Sequence, residues 1–434
     1  MQILDFEYKI GIEVFLTQNE GIGGKLRTIP QDFIVDEISK YPIEKKDGNY
    51  AIAEVSAINW ETNHLIKELS NKLHISRKRI SFAGTKDKRS KSKRLMSFFR
   101  ISKDDLNGFN LKDVEIKYLF QTDKPVRIGT LIGNKFDINI RGIKNINTEI
   151  IENIYSYIKE NGGFPNFYGI QRFGAIRPIT HIVGKYIVNG DFEKAVMTYV
   201  GNPMKGEDEL SYRLRSELEE NLDFSSALKS YPNHLSFEKS MLNKLVVDPN
   251  DYVGALNELP RNLLTMFIYA YQSYLFNKII SKRLSKNIPL NRAVIGDIIY
   301  PFKKNEIEIR EIPVTKLNIE KVNREIDRGK AFVTGLLFGS HSNFSKGEMG
   351  EIEKNIIEKE KVDHRDFIIP EIPFLSSKGS RRAILALVNN LTYSMKIDNI
   401  TDINYVNIKF ELSKGCYATS FLREFMKSDD IKNY

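Results

Sequence analysis

Residues 77–94 read RKRISFAGTKDKRSKSKR. Nine of these eighteen are Lys or Arg, and Asp87 is the one acid among them. By charge alone the stretch reads as a solvated basic loop with an incidental carboxylate. The placing argues for more. Phe82-Ala83-Gly84-Thr85 combines strand-compatible and small residues, so the chain can turn tightly and carry the acid close to a ligand backbone. Lys86 and Lys88 flank Asp87, and neighbouring positive charge favours the ionised carboxylate. An acid kept ionised inside a polycationic segment suits a group that meets a polyanion and then does chemistry on it.

The composition points the same way. A chain of 434 residues predicts two or three domains with a large core. At 41% hydrophobic and 28% charged it has the make-up of a soluble globular protein. Its net charge of +9 favours an anionic partner, nucleic acid ahead of a membrane surface. There is no apolar run of membrane-spanning length and no charged-then-apolar leader, so a cytoplasmic protein is expected. Cys416 is the one cysteine, which excludes an internal disulfide and a cysteine-rich zinc site. The six histidines are scattered without ligand spacing, and no metal is expected.

Working outward, GIGGK at 21–25 lacks the Gly spacing and the Ser/Thr of a phosphate loop, so it reads as a turn into a strand at 33–38. Strands are further expected at 50–55, 95–101 and 135–141, the last with Phe136, Ile138 and Ile140 on one face. Thr62 or Asn63 is placed to cap a helix, and Ser76 a short turn. A helix over 148–160 should stop at Asn161-Gly162-Gly163. PNFYGIQRFG at 165–174 interleaves aromatics with Arg172; these side chains could stack on unpaired bases or pack inward around a turn. Helical pattern dominates 191–200, 207–229, 236–247 and 261–286, residues 293–340 look strand-rich, and strands return at 383–388 and 405–412. A late pair of strands without a helical layer of its own would complete the sheet begun before residue 165, with the middle inserted as a separate domain.

In this order five blocks become recognisable: GIGGKLRTIPQDFIVDE (21–37), ISFAGTKDKRS (80–90), IGNKFDINIRG (132–142), PNFYGIQRFG (165–174) and LSKGCYATSFLREFM (412–426), with YQSYLFN (271–277) weaker. Together they resemble the TruD-type tRNA pseudouridine synthases, collinearly and over nearly the whole chain. The resemblance implies an α+β fold: a catalytic domain with a mostly antiparallel, circularly permuted sheet over 1–168 and 371–434, interrupted by an inserted α/β domain at 169–370. It implies that Asp87 is the catalytic carboxylate, that Arg27 pairs with it where many relatives carry Lys, and that Phe136 lies against the target base with Asn134 beside it. PNFYGIQRFG departs from the commoner NYFGxQRFG order. Lys86, Lys88 and Arg172 are candidate RNA contacts.

The implied reaction isomerises uridine to pseudouridine in tRNA, with uridine-13 the family's usual target. The base leaves C1′, turns and rejoins through C5 without redox change, so no cofactor is expected. The carboxylate could take the 2′ proton, add to C1′ or add to the ring; each needs it charged. An aromatic face can hold the detached uracil, at on the order of 1–3 kcal/mol per base. Phosphate contacts would offset the cost of extruding the nucleotide. The expected partner is tRNA, with no membrane and no obligate protein partner. The alternative is a non-catalytic RNA-binding or RNA-folding protein on the same scaffold, against which stands the acid in the most basic segment.

Overall fold

The computed structural model describes residues 3–143, 147–303, 306–398 and 403–434. Its contacts divide the chain into two compact units, residues 17–164 with 386–434 and residues 1–16 with 165–385. The architecture is α+β.

The first unit is built on strands β1 (Phe33–Ile38), β2 (Tyr50–Ile58), β3 (Ile80–Phe82), β4 (Lys91–Phe99), β5 (Val114–Thr122), β6 (Gly133–Ile140), β7 (Gly163–Pro165), β8 (Leu385–Asp398) and β9 (Ile403–Ser413). They lie in the order β5-β2-β4-β1-β6-β9-β8-β7, with β3 also paired to β4. β1 runs parallel to β4, whereas β1/β6, β2/β4, β2/β5, β6/β9 and β8/β9 are antiparallel. Period-two alternation puts Phe136, Ile138 and Ile140 of β6 on a buried face. Register sets Val35 opposite Phe136 and Glu37 opposite Asn134 on β1, and Phe410 opposite Phe136 on β9. Helix Ala418–Met426, with all nine side chains buried, covers that face through Phe421, 4.4 Å from the Phe410 ring. Farther along the sheet Ala51, Ala53 and Ala57 of β2 are small enough to let Leu65 and Leu69 of helix Thr62–Lys72 settle in the same cluster.

Two local expectations shift and a third holds. The cap of helix Thr62–Lys72 is Glu61, whose carboxylate accepts the main-chain N–H of Asn63 and of His64 at 2.9 and 2.8 Å. β4 starts at Lys91 rather than 95, because it pairs with β2 from Ile58↔Lys91 to Tyr50↔Phe99. The basic stretch therefore ends as strand, not loop. Helix Thr148–Asn161 stops as expected, with Gly162 left-handed at φ 72°.

The second unit centres on helix Arg261–Ser285, which buries Leu264, Phe267, Ile268, Tyr271 and Leu275. Helix Thr180–Val188 crosses it at Gly184, where a Cβ would stand 2.0 Å from the Phe267 carbonyl oxygen. A small sheet joins Ile298–Lys303, Glu306–Ile307, Ile312–Pro313, Ala331–Leu337 and Ser380–Ala383. Because Ser380–Ala383 pairs with Ala331–Leu337, the unit continues to residue 385, beyond the 370 read from the sequence. Residues 1–16 also belong here: the Ser281 hydroxyl donates to the Gly11 carbonyl at 2.9 Å and accepts the Glu13 N–H at 3.0 Å. The aromatics of 165–174 pack inward, Phe167 and Phe173 fully buried and Tyr168 nearly so. Arg172, on the short turn Ile170–Arg172, lies over the Tyr168 ring at 5.3 Å. Among the described residues no helix is long and apolar enough to cross a membrane.

Candidate active site

Asp87 sits on the loop between β3 and β4, and that loop is fastened at three points. The Ala83 carbonyl accepts the Gly129 N–H at 2.8 Å. The Lys86 N–H donates to the Thr62 hydroxyl at 3.0 Å. Ser90 donates its hydroxyl to the Asp87 carbonyl at 2.6 Å, while its own carbonyl accepts the Asn59 N–H at 2.9 Å. Gly84 takes no left-handed φ, and a Cβ there would meet Leu131 only at 3.7 Å. Neither the backbone conformation nor the space at this position requires a glycine.

The Asp87 carboxylate is half exposed and accepts the Arg27 Nη2 hydrogen at 2.8 Å. Arg27 is held far more firmly than its partner. Its side chain is 12% exposed, its guanidinium lies 3.9 Å from the centroid of the Phe33 ring, and its Nη1 donates to the main-chain oxygen of Tyr434 at 2.7 Å. Its backbone is left-handed, φ 54°, an unfavourable state for a residue with a Cβ.

The GIGGK stretch explains how Arg27 gets there. Ile22 and Gly23 donate their N–H groups to the carbonyls of Phe425 and Met426 at 2.9 Å, Lys25 donates to Arg141 at 2.7 Å and Leu26 to Asn433 at 2.7 Å. Main chain thus consumes the amides that a phosphate loop would need. Gly21 is required sterically, since a Cβ would stand 2.2 Å from the Met426 carbonyl oxygen. Asp32 is fully buried and accepts from Arg141 Nε at 2.7 Å and from the Ile29 N–H at 3.1 Å, which fixes the turn between Arg27 and β1.

Below the pair runs a row of rings. Phe33 meets Phe136 edge-on at 6.2 Å, and Phe136 stacks on Phe410 at 4.9 Å. Phe136 is 6% exposed, and one of its faces lies against Phe410. Asn134, two residues earlier on the same face of β6, has a buried Oδ1 with no hydrogen-bond partner. Asp87, Arg27, Phe136 and Asn134 thus belong to one unit, the first two joined by an ion pair and Arg27 linked to Phe136 through Phe33. Arg172 belongs to the other unit.

The basic stretch is less uniform than its composition suggests. Arg77, Lys78, Lys88, Arg89 and Lys91 are exposed. Lys86 points inward: its side chain is 4% exposed and its ammonium pairs at 2.9 Å with Glu37, which is fully buried. Burial pulls the Lys86 pKa below the ordinary lysine range, with Glu37 opposing. Arg94 is buried too, donating to Thr62 Oγ1 at 2.9 Å and to Ser92 Oγ at 2.7 Å. Burial lowers its pKa to about 10. The Glu37 and Arg94 contributions escaped the sequence reading; the alternation of β1, which places Glu37 on the Phe33/Val35 face, was the available signal.

Comparison with known proteins then settles the family. The model of tRNA pseudouridine synthase D (TruD) matches residues 9–425. The chain belongs to the TruD family. It is 43% identical over 433 residues to a Methanococcoides burtonii protein named "Probable tRNA pseudouridine synthase D", covering 98% of each chain. A Pyrococcus furiosus protein of the same name is 36% identical over 95% of this chain and 98% of its own. A crystal structure of the Methanosarcina mazei TruD superposes with a TM-score of 0.89 at 39% identity, covering both chains completely.

Proposed function

We propose that the protein converts uridine to pseudouridine in tRNA, at uridine-13, with Asp87 as the catalytic carboxylate. Membership of the TruD family makes it a pseudouridine synthase, an isomerase. The observation that carries the finer reading is the Arg27–Asp87 pair: an acid on a fastened but solvent-facing loop, with an arginine aimed at it from a buried seat. Arg27 orients the carboxylate for attack or proton removal at the ribose or base. The extruded base sits beside the Phe33–Phe136–Phe410 row, with Phe136 bounding its pocket and the unpaired Oδ1 of Asn134 available to a base N–H. Lys88 and the other exposed cations of 77–91 meet phosphates, Lys86 supports the loop from beneath through Glu37, and Arg172 serves RNA contacts from the inserted domain. In this reading residues 17–164 with 386–434 form the catalytic domain, 165–385 are the insertion, to which residues 1–16 attach, and the protein works in the cytoplasm.

The test maps pseudouridine in tRNA incubated with the wild-type protein and with Asp87→Asn. The variant should bind tRNA near-normally and form no pseudouridine, and its turnover would overturn the assignment. Pseudouridine appearing elsewhere than position 13 would correct the target alone.

A further inference from the structure

We infer that the segment Ser428–Tyr434 is a positioning element of the active site, holding the Arg27 guanidinium in place against Asp87. The inference rests on the reading of Asp87 as the catalytic carboxylate, and it concerns residues beyond the 9–425 matched by the family model. Arg27 spends the two arms of its fork on different acceptors, Asp87 Oδ2 at 2.8 Å and the Tyr434 main-chain oxygen at 2.7 Å, 407 positions away in sequence. With a single arm engaged, the guanidinium could swing about that bond; two acceptors fix its plane. The same segment takes hold of the backbone next door, since the Leu26 N–H donates to the Asn433 carbonyl at 2.7 Å. That contact sits beside the left-handed φ of Arg27, a conformation that persists only where its surroundings impose it.

The segment is itself folded for the purpose. Ser428 is buried; its N–H donates to the Tyr434 hydroxyl at 3.0 Å and its Oγ accepts from Asn433 Nδ2 at 2.7 Å. One serine therefore ties down both residues whose main-chain oxygens reach Leu26 and Arg27. Just ahead, Lys427 is left-handed at φ 40° and donates to the Thr17 carbonyl and hydroxyl, both at 2.8 Å, which turns the chain out of helix Ala418–Met426 toward Arg27. The bonds from Asn433 and Tyr434 reach Leu26 and Arg27, so the segment acts on the chemistry through Arg27.

The experiment compares single-turnover pseudouridine formation at saturating tRNA with the tRNA Kd. It uses the wild type, the chain shortened by Ile431–Tyr434, Ser428→Ala, Arg27→Lys, and Arg27→Lys combined with the shortening. Shortening should slow the single-turnover step about tenfold or more, the size of one hydrogen bond to a charged group. The tRNA Kd should stay within about twofold of wild type. Because Lys cannot fork, the shortening should cost Arg27→Lys almost nothing further. An unchanged rate in the shortened chain, a loss that appears in Kd instead, or a full extra loss on top of Arg27→Lys would each overturn the inference. If melting shows that the shortened chain does not fold, Ser428→Ala decides: a slower step at unchanged Kd supports the inference and a wild-type rate refutes it. Failure of the underlying reading is seen separately, as turnover by Asp87→Asn.

Discussion

Glu37→Gln should destabilise the protein far more than its near-isosteric shape suggests. Glu37 is fully enclosed and Lys86 is 4% exposed, so neither charge is served by bulk water. Removing one partner of such a pair leaves the other uncompensated, a loss of roughly 3–5 kcal/mol. For a cooperative unit of this size that corresponds to a fall in Tm of roughly 6–20 °C. The pH dependence gives a second handle. Burial already holds the Lys86 pKa below its ordinary range and Glu37 opposes that shift, so the variant lowers it further. A lysine with a folded pKa below its unfolded value binds fewer protons folded than unfolded, so stability rises with pH through that window. The Glu37→Gln deficit should therefore shrink as pH is raised from 7 toward 10. Thermal and urea unfolding across that range read it out, with Glu37→Gln/Lys86→Met as the partner-free control, expected to recover part of the loss. A deficit below about 1 kcal/mol at pH 7 would mean that the ammonium re-hydrates freely and that the loop is not held from beneath.

Two further outcomes follow from the charges. Lys88→Glu with Arg89→Glu should weaken tRNA binding and flatten the slope of log Kd against log salt by roughly 1–2, as expected for about two lost phosphate contacts; an unchanged slope places the phosphate track elsewhere. His181 is buried between Phe173 and Tyr274, and burial pulls its pKa from 6.5 to about 4. The unfolded chain takes up a proton there that the folded one refuses, so stability falls as pH drops from 6.5 to about 4, by about 3 kcal/mol in all. His181→Leu should flatten that part of the stability curve, and an unaltered profile in urea titrations would place the acid sensitivity on other groups.

The readable parts of the chain were those where one local rule acts alone. Alternation was enough for β1 and β6, and Gly162 for the end of helix Thr148–Asn161. Asp87 stood out as the one acid among nine cations. What stayed hidden depends on distant pieces of chain. Lys86 looks like another surface cation until Glu37, 49 positions earlier, arrives beside it. Arg27 owes its second acceptor to a residue 407 positions later. Helix Thr180–Val188 is buried on most sides, with six of its nine residues out of water, so it shows little of the one-sided stripe that marks a surface helix. The expected helix over 207–229 is two, broken where Leu222 goes left-handed without a glycine or proline to announce it.

The sheet of the first unit has a consequence for how the protein is made. β6 is paired on one side by β1, synthesised well before it, and on the other by β9, where Asn407 reaches Asp137 across 270 positions. At roughly 5–20 residues per second of synthesis, the ribosome needs roughly 15–50 s to produce the second neighbour. Throughout that interval the hydrogen-bonding edge of β6, with Phe136 and Ile138 beside it, faces the cell without its cover. One edge of β6 thus waits for its partner until nearly the whole chain has been made.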